Sequence, residues 1–165
     1  MAFPNKIQNN RNELVNKIIK DIQSGKPFFW NEGFFNAEPK SLICALRNEK
    51  RLYKGINNLF LTVSAYVNGF KDSRWATFKQ IEAAGYKLKK GSKGTHIEYW
   101  QYTIDAMEVN PKTGKKEPIY EIDETTGKKR KIQLPLKMPI VKNYVVFNAE
   151  QIEGIELETS PKINH

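Results

Sequence analysis

An apolar stripe in the middle of the chain places the tightest constraint on how the chain can fold. Its side chains recur at spacings of three and four residues: Ile56, Leu59, Phe60, Val63 and Val67. This spacing is the period of one face of an α-helix. Gly69 follows the stripe, where a glycine commonly ends a helix. The pattern therefore predicts a core helix over residues 56–68.

A second apolar stripe predicts an amphipathic helix over residues 10–24. Its members also have helical spacing: Leu14, Ile18, Ile19 and Ile22. Asn10 and Glu13 have the spacing of a capping box at the start of a helix, and Gly25 with Pro27 would end it.

A third, shorter helix is predicted to start at Thr77. Thr77 and Gln80 match the Thr-x-x-Gln form of the capping box, and Gly85 is a natural end. Residues 72–76, which precede this helix, are interpreted as a short connector.

The second half of the chain alternates between apolar and polar residues, as half-buried strands do. Tyr86–Lys90 and Thr95–Tyr102 alternate on either side of a turn at Gly91–Gly94, which predicts a hairpin. A further strand is predicted at Asn143–Phe147, and a short capped helical turn over Asn148–Gly154. Helices followed by strands indicate an α+β fold: a small antiparallel sheet with about three helices packed on it and an extended hairpin excursion.

The length fits one domain, which we expect to cover residues 1–155. Residues 106–136 are charged and poor in large apolar groups, which predicts that the hairpin excursion is mobile. Its two Thr-Gly-Lys-Lys sequences, at 113–116 and 126–129, are typical of turn tips. Residues 156–165 form an acidic tail that is expected to fray.

Residues 26–54 are predicted to be irregular. They contain two aromatic clusters, at residues 28–30 and 34–35. These rings either cover an edge of the core or form a platform on which bases stack, and the sequence leaves both alternatives open.

The positive charge is concentrated in one part of the chain. The formal net charge is +9, and residues 47–94 hold eleven basic and three acidic residues, a net charge of +8. The last eighteen residues have a net charge of −3. Such asymmetry indicates a polyanionic partner for the basic part, although a solvated lysine-rich surface is the alternative.

The sequence favours no catalytic, metal-binding or membrane function. Cys44 is the only cysteine, and His96 and His165 are the only histidines, so no pattern typical of a metal site or a catalytic triad is present. We therefore expect no enzyme activity, no cofactor and no metal. No apolar segment is long enough to cross a bilayer, and a single free thiol fits the reducing cytoplasm.

Single-stranded nucleic acid requires cations that follow its phosphates and flat rings that stack on its unpaired bases. The predicted hairpin offers both, because its first strand and tip contain four lysines and its second strand contains Trp100. Trp75 lies between Arg74 and Lys79, where it is either a base-stacking ring or a core anchor.

Four ordered motifs resemble one known family. They are Tyr53-Lys54-Gly55-Ile56-Asn57, Arg74-Trp75-Ala76-Thr77-Phe78-Lys79-Gln80, Lys89-Lys90-Gly91-Ser92-Lys93-Gly94-Thr95 and Val146-Phe147-Asn148-Ala149-Glu150-Gln151. Over residues 10–155 the chain resembles the N-terminal domain of ArdC-type antirestriction proteins. The resemblance implies a single-stranded DNA-binding domain that a zinc metallopeptidase-like domain follows in a longer form. Lys54 replaces the usual arginine and Ser92 an acidic residue, and both changes keep or raise the positive charge.

The leading hypothesis is a monomeric, sequence-nonspecific single-stranded DNA-binding domain of an antirestriction or conjugative-transfer protein from a mobile genetic element. The alternative is a module that binds a restriction enzyme or a protein of the transfer machinery, and an enzyme domain with unrecognised chemistry is a weaker third. The candidate DNA-binding residues are Arg51, Lys54, Asn57, Arg74, Trp75, Lys79, Lys87, Lys89, Lys90, Lys93 and Trp100.

Overall fold

The structure, a computed structural model, describes residues 5–25 and 38–158. The helices in these ranges are α1 (Asn5–Gln23), α2 (Leu42–Leu46), α3 (Ile56–Asn68) and α4 (Phe78–Ala83). The strands are β1 (Lys40–Ser41), β2 (Arg74–Thr77), β3 (Lys87–Leu88), β4 (Thr95–Asp105), β5 (Met107–Val109), β6 (Lys116–Pro118), β7 (Tyr120–Ile122), β8 (Lys129–Lys131), β9 (Gln133–Asn148) and β10 (Ile152–Glu153). One turn of 3-10 helix, Ala149–Gln151, joins β9 to β10. These elements confirm the predicted α+β class.

The chain forms two compact units. The main unit comprises residues 1–98 and 143–165, and the inserted unit comprises residues 99–142. Strands β4 and β9 each begin in one unit and end in the other. The aromatic clusters at residues 28–30 and 34–35 lie outside the described residues.

The main sheet has the strand order β1-β2-β9-β4. Strand β1 is parallel to β2, and β2 is antiparallel to β9, with Trp75 opposite Asn148 and Ala76 opposite Phe147. The prediction that residues 72–76 are only a connector is therefore wrong, since Arg74–Thr77 is an interior strand. Its first three residues are all buried, so the strand lacks the alternation by which a half-buried strand is recognised.

Strand β2 contributes to apolar clusters on its two faces. Trp75 packs with Leu61, Ile97 and Val146, and its ring meets the Phe70 ring edge-on at a centroid distance of 5.9 Å. The cluster around Ala76 contains Leu42, Ile81, Ala149 and Ile152. Because successive side chains of a strand point to opposite faces, two neighbouring residues of β2 anchor two separate parts of the core.

Residues 52–57 link the two edges of the main sheet. Leu52 forms a bridge with Lys40 on β1, and the Asn57 side chain bonds the backbone of Glu98 on β4. The step from Leu52 to Asn57 can extend at most about 18 Å, which is enough to cross the roughly 14 Å between the edge strands of a four-stranded sheet. This segment therefore connects β1 and β4, the two edge strands of the sheet.

The helices agree with the sequence patterns except at the start of α1. Helix α1 begins at Asn5, so the predicted capping box at Asn10 is wrong and Asn10 lies inside the helix. Ile7 is buried one heptad before Leu14, which extends the apolar stripe toward the N-terminus. The predicted bounds of α3 are confirmed, and Gly69 ends it with a left-handed φ of 70°.

The capping box predicted at Thr77 is confirmed, and the capped turn predicted after β9 is present. At the start of α4, Thr77 Oγ1 accepts from Gln80 N at 3.3 Å and Gln80 Oε1 accepts from Thr77 N at 2.9 Å. At the end of β9, the side chains of Asn148 and Gln151 cap the turn in the same reciprocal way. The turn covers Ala149–Gln151 and does not extend to Gly154 as predicted, because β10 follows it.

The prediction that Tyr86–Lys90 forms a hairpin with Thr95–Tyr102 is wrong. Strand β3 pairs with β10, with Leu88 opposite Ile152, while β4 is the neighbour of β9. Alternation indicates that a segment is a strand but does not specify its partner, and Leu88 packs on the apolar cluster that contains Ile152.

The inserted unit is built around a ring of three backbone hydrogen bonds. Ala106 N donates to Ile132 O at 2.8 Å, Ile132 N to Ile119 O at 2.9 Å, and Ile119 N to Ala106 O at 2.8 Å. Between these three residues lie two antiparallel hairpins, β5–β6 and β7–β8. The predicted turns at residues 113–116 and 126–129 are confirmed, with Gly114 and Gly127 at φ of 65° and 67°. We refer to this ring of three residues as the junction.

Gly94, between β3 and β4, lies where a side chain would collide with β9. A Cβ atom there would be 2.1 Å from Val145 Cγ1 and 3.1 Å from the Phe147 ring. We expect Gly94→Ala to lower the free energy of unfolding by about 1–3 kcal/mol, the usual cost of overpacking. Urea denaturation would measure the loss. Val145→Ala should recover part of it, because it removes the nearest colliding atom. A Gly94→Ala variant as stable as the parent would contradict this close approach.

Candidate nucleic-acid interface

Residues 87–93, which we call the lysine segment, are fastened to the turn that follows β9. Lys89 N donates to Gln151 O at 2.9 Å, and Gln151 Nε2 donates to Lys93 O at 2.8 Å. The Lys89 ammonium donates to Glu150 O at 2.7 Å. Gly91 turns the backbone with a φ of 81°. The segment is therefore held at several points along its length.

The lysines of this segment present their charge to solvent. All four are exposed: Lys87, Lys89, Lys90 and Lys93. Within residues 5–25 and 38–158 none of them forms an ion pair. Seven residues extend at most about 25 Å, so four positive charges lie within a short distance along a fixed stretch of backbone. Such an array can follow the phosphates of a nucleic-acid strand.

Three other candidate cations are also exposed on the main unit: Arg51, Lys54 and Lys79. In the part of the chain that the structure describes, they likewise form no ion pair. Lys54 lies within residues 52–57, which connect the two edges of the main sheet, and Lys79 lies in the first turn of α4. These three residues remain candidates for phosphate contacts.

Arg74 is a structural residue, and its assignment as a DNA contact is wrong. It is 5% exposed, and its guanidinium donates to the Asp72 carboxylate, with Nη2–Oδ2 at 2.7 Å and Nε–Oδ1 at 3.0 Å. This hydrogen bond raises the pKa of Arg74 above its ordinary value, against the opposing effect of burial. Asp72 is 2% exposed, so the charge of Arg74 is neutralised inside the protein and is not presented to solvent.

The Asp72–Arg74 pair also holds the first residues of the acidic tail. Arg74 Nη2 donates to Glu156 O at 2.5 Å, and Glu158 N donates to Asp72 Oδ2 at 2.9 Å. The Glu158 carboxylate also forms an ion pair with Lys40 at 2.6 Å. The expectation that the tail frays is therefore wrong for residues 156–158.

Trp75 is a core anchor, and its assignment as a DNA-stacking ring is wrong. The residue is 1% exposed, so no base can reach its ring. Its indole fills the apolar cluster beneath β2, as the alternative interpretation of the sequence held.

Asn57, which is partly buried, also has a structural role. Its side-chain amide donates to Glu98 O at 2.6 Å and accepts from Glu98 N at 2.7 Å. A neighbouring strand would form the same two kinds of hydrogen bond with the edge of β4. The Glu98 carboxylate, which is nearly fully buried, accepts two hydrogen bonds from Arg11 at 2.7 Å. The Glu98 hydrogen bond raises the pKa of the Arg11 guanidinium.

Trp100 belongs to the inserted unit. Its ring lies beside that of Tyr102, with centroids 6.3 Å apart and planes at 21°. Tyr102 is 61% exposed, and the sequence-based site omitted it. The spacing of the two residues could have indicated it, because residues two apart on a strand share a face.

Within residues 5–25 and 38–158, no group of three or more histidine, cysteine or acidic side chains is arranged to hold a metal ion. Among the described helices, none combines the length and apolar character needed to cross a bilayer.

The Asp72–Arg74 pair generates a stability prediction. Arg74→Met should lower the free energy of unfolding by about 3–5 kcal/mol, because it leaves the Asp72 carboxylate buried without its partner. The double variant Asp72→Asn/Arg74→Met removes both charges and should lose less. Chemical denaturation of both variants measures the difference, and equal losses would show that burial of an unpaired charge is not the cause.

Comparison with known proteins extends over most of the chain. The family described as the N-terminal domain of anti-restriction factor ArdC matches residues 8–147. Two Escherichia coli proteins named DNA primase TraC are 32% and 30% identical over 87% and 86% of this chain. The chain spans only 12% and 9% of their lengths.

Solved structures of an ArdC protein also match this chain. The metal-free crystal structure of antirestriction ArdC protein from the R388 plasmid matches with a TM-score of 0.52 at 27% identity. The match covers 87% of this chain and 41% of that one. The Mn(II)-bound structure of the same protein, at 23% identity and a TM-score of 0.52, shows the common fold. The chain therefore belongs to the family of ArdC N-terminal domains.

Proposed function

We propose that this chain is a non-catalytic domain that binds single-stranded DNA without sequence specificity. It would serve an antirestriction or conjugative-transfer protein of a mobile genetic element. The observation on which the proposal rests is the lysine segment, whose exposed ammonium groups are held along a fastened backbone. Relatives named for DNA priming and antirestriction support a nucleic-acid partner.

The structure narrows the set of residues proposed for this function. Two of the eleven candidates, Arg74 and Trp75, are buried, and the Asn57 side chain bonds the backbone of Glu98. The charges that remain exposed are Arg51, Lys54, Lys79, Lys87, Lys89, Lys90 and Lys93. Trp100, in the inserted unit, is the remaining aromatic candidate. Lysines can bind the phosphates of any sequence, which fits binding without sequence specificity.

A protein partner is the second candidate function, and the inserted unit favours it. Large apolar side chains are exposed on its strands and hairpins: Val109 (59%), Ile122 (66%) and Met138 (64%). Exposed apolar groups of this kind are common at protein–protein contacts. A complex of this type, with a restriction enzyme or a transfer protein, would resist competing DNA.

The first test of the proposal compares strands. Single-stranded DNA should bind more tightly than duplex DNA of the same length, because only unpaired bases can stack on exposed rings. Fluorescence anisotropy with matched oligonucleotides at two salt concentrations measures both affinities. Equal affinity for the two forms would leave only general electrostatic attraction, and no binding to either would favour the protein partner.

The second test assigns the binding to the lysine segment. The triple variant Lys87→Ala/Lys90→Ala/Lys93→Ala should bind single-stranded DNA more weakly. It should also flatten the plot of log affinity against log salt by about two units, because each phosphate contact contributes about 0.7. Lys89 is left in place, since its ammonium also bonds Glu150 O.

A matched control removes the same charge elsewhere on the main unit. The control variant replaces three exposed lysines of α1: Lys6, Lys17 and Lys20. If the lysine segment is the site, the control retains most of the affinity and of the salt slope. Equal losses in two variants that both remain folded by circular dichroism would mean that the attraction is diffuse.

A further inference from the structure

An open groove of about 710 Å³ lies in the inserted unit. One part of its lining is aromatic and comes from Tyr99, Trp100 and Tyr102; other parts are polar and include Gln133 and Lys142. The volume is within the range of sites that hold small organic molecules, about 300–1,000 Å³. The lining therefore combines flat apolar surfaces, hydrogen-bonding groups and a cation.

The aromatic part is arranged for stacking. The rings of Trp100 and Tyr102 are close to parallel, and their centroids are separated by 6.3 Å. Tyr102 is more than half exposed, although an aromatic ring gains most stability from burial. An exposed ring beside a nearly parallel one offers a platform for a flat, uncharged ring from outside.

The polar part is held by a network of side chains. Thr103 Oγ1 donates to Gln133 Oε1 at 2.7 Å, and the Gln133 amide nitrogen donates to the Asp105 carboxylate. Lys131 forms an ion pair with the same carboxylate at 2.8 Å. The network fixes a side-chain amide and a carboxylate in the lining of the groove, and both can pair with the donors and acceptors on the edge of a nucleobase.

The charges in the groove lining favour different positions for the base and the phosphate of a nucleotide. The Thr103–Gln133–Asp105 network offers a phosphate no unpaired cation, because the Lys131 ammonium is paired with the Asp105 carboxylate. Lys142 is exposed, and none of the ion pairs within the described ranges involves it. A phosphate is therefore best accommodated at Lys142, with the base directed toward the rings.

We propose that this groove captures one unpaired nucleobase of a DNA strand, stacked on Trp100 and Tyr102, with the adjoining phosphate at Lys142. The inference rests on the proposed function and adds a base-binding site to it. The lysine segment would bind any polyanionic backbone, whereas the groove would respond to the presence of a base. The two contributions can be measured separately.

The test uses two probes of equal length, an oligothymidylate and an abasic oligodeoxynucleotide that has the same phosphates but no bases. The parent protein should bind the oligothymidylate about tenfold more tightly, the usual effect of one stacked base. Trp100→Ala/Tyr102→Ala should bring the two affinities together. Tyr102→Ala alone, at an exposed position, should reduce the preference if the double variant does not fold.

Two further variants sharpen the comparison. Trp100→Phe keeps a ring, so it should retain the preference for bases while losing the quenching of tryptophan fluorescence that stacking produces. The lysine-segment triple variant should weaken binding of both probes by the same factor, which leaves the preference unchanged.

The outcomes distinguish the two proposals. If the parent binds both probes equally, or if the double variant keeps the parent's preference, the groove is not a base site and the proposed function stands on the lysine segment. If the parent binds neither probe, the proposed function fails and the base site fails with it.

Discussion

The capped turn at residues 148–151 is the contact on which the arrangement of the main unit depends. The Asn148 side chain, fully buried, donates to Asp72 O at 2.7 Å, and the Glu150 carboxylate accepts from the backbone of Lys71 and Asp72. On its other side, Gln151 holds the lysine segment. One short turn thus positions the residues that lead into β2 and the basic loop that precedes β4.

This dependence gives a structural role to the last of the four sequence motifs, which runs from Val146 to Gln151. Its asparagine, glutamate and glutamine satisfy backbone groups of distant segments, and a buried backbone group without a partner is costly. The motif therefore specifies how the chain is assembled, and the exposed charges elsewhere determine what the surface attracts.

The sequence predicted the features that depend on neighbouring residues. The stripe of α3, the capping box at Thr77 and the capped turn after β9 involve residues a few positions apart, so local patterns reveal them. Pairing between distant segments was not predictable in this way, and β3 pairs with β10 rather than β4 because Leu88 shares a buried cluster with Ile152.

In the candidate site, too, features local to the sequence were predicted and features that depend on the fold were not. Exposed lysines were recognised from their number in a short stretch. Burial of Arg74 and Trp75 was missed because β2 is covered on both faces, which a period of two cannot reveal. A net charge also does not reveal that Asp72, two residues before Arg74, is the buried partner of that arginine.

The junction of the inserted unit involves three residues spaced thirteen apart, Ala106, Ile119 and Ile132, and only their backbone atoms form its hydrogen bonds. Any residue but proline can donate such a bond. Each hairpin therefore leaves and returns at a point whose geometry is independent of the hairpin's own length. The base of the unit is thus specified by three positions along the chain, separately from the sequences of the two arms that extend from it.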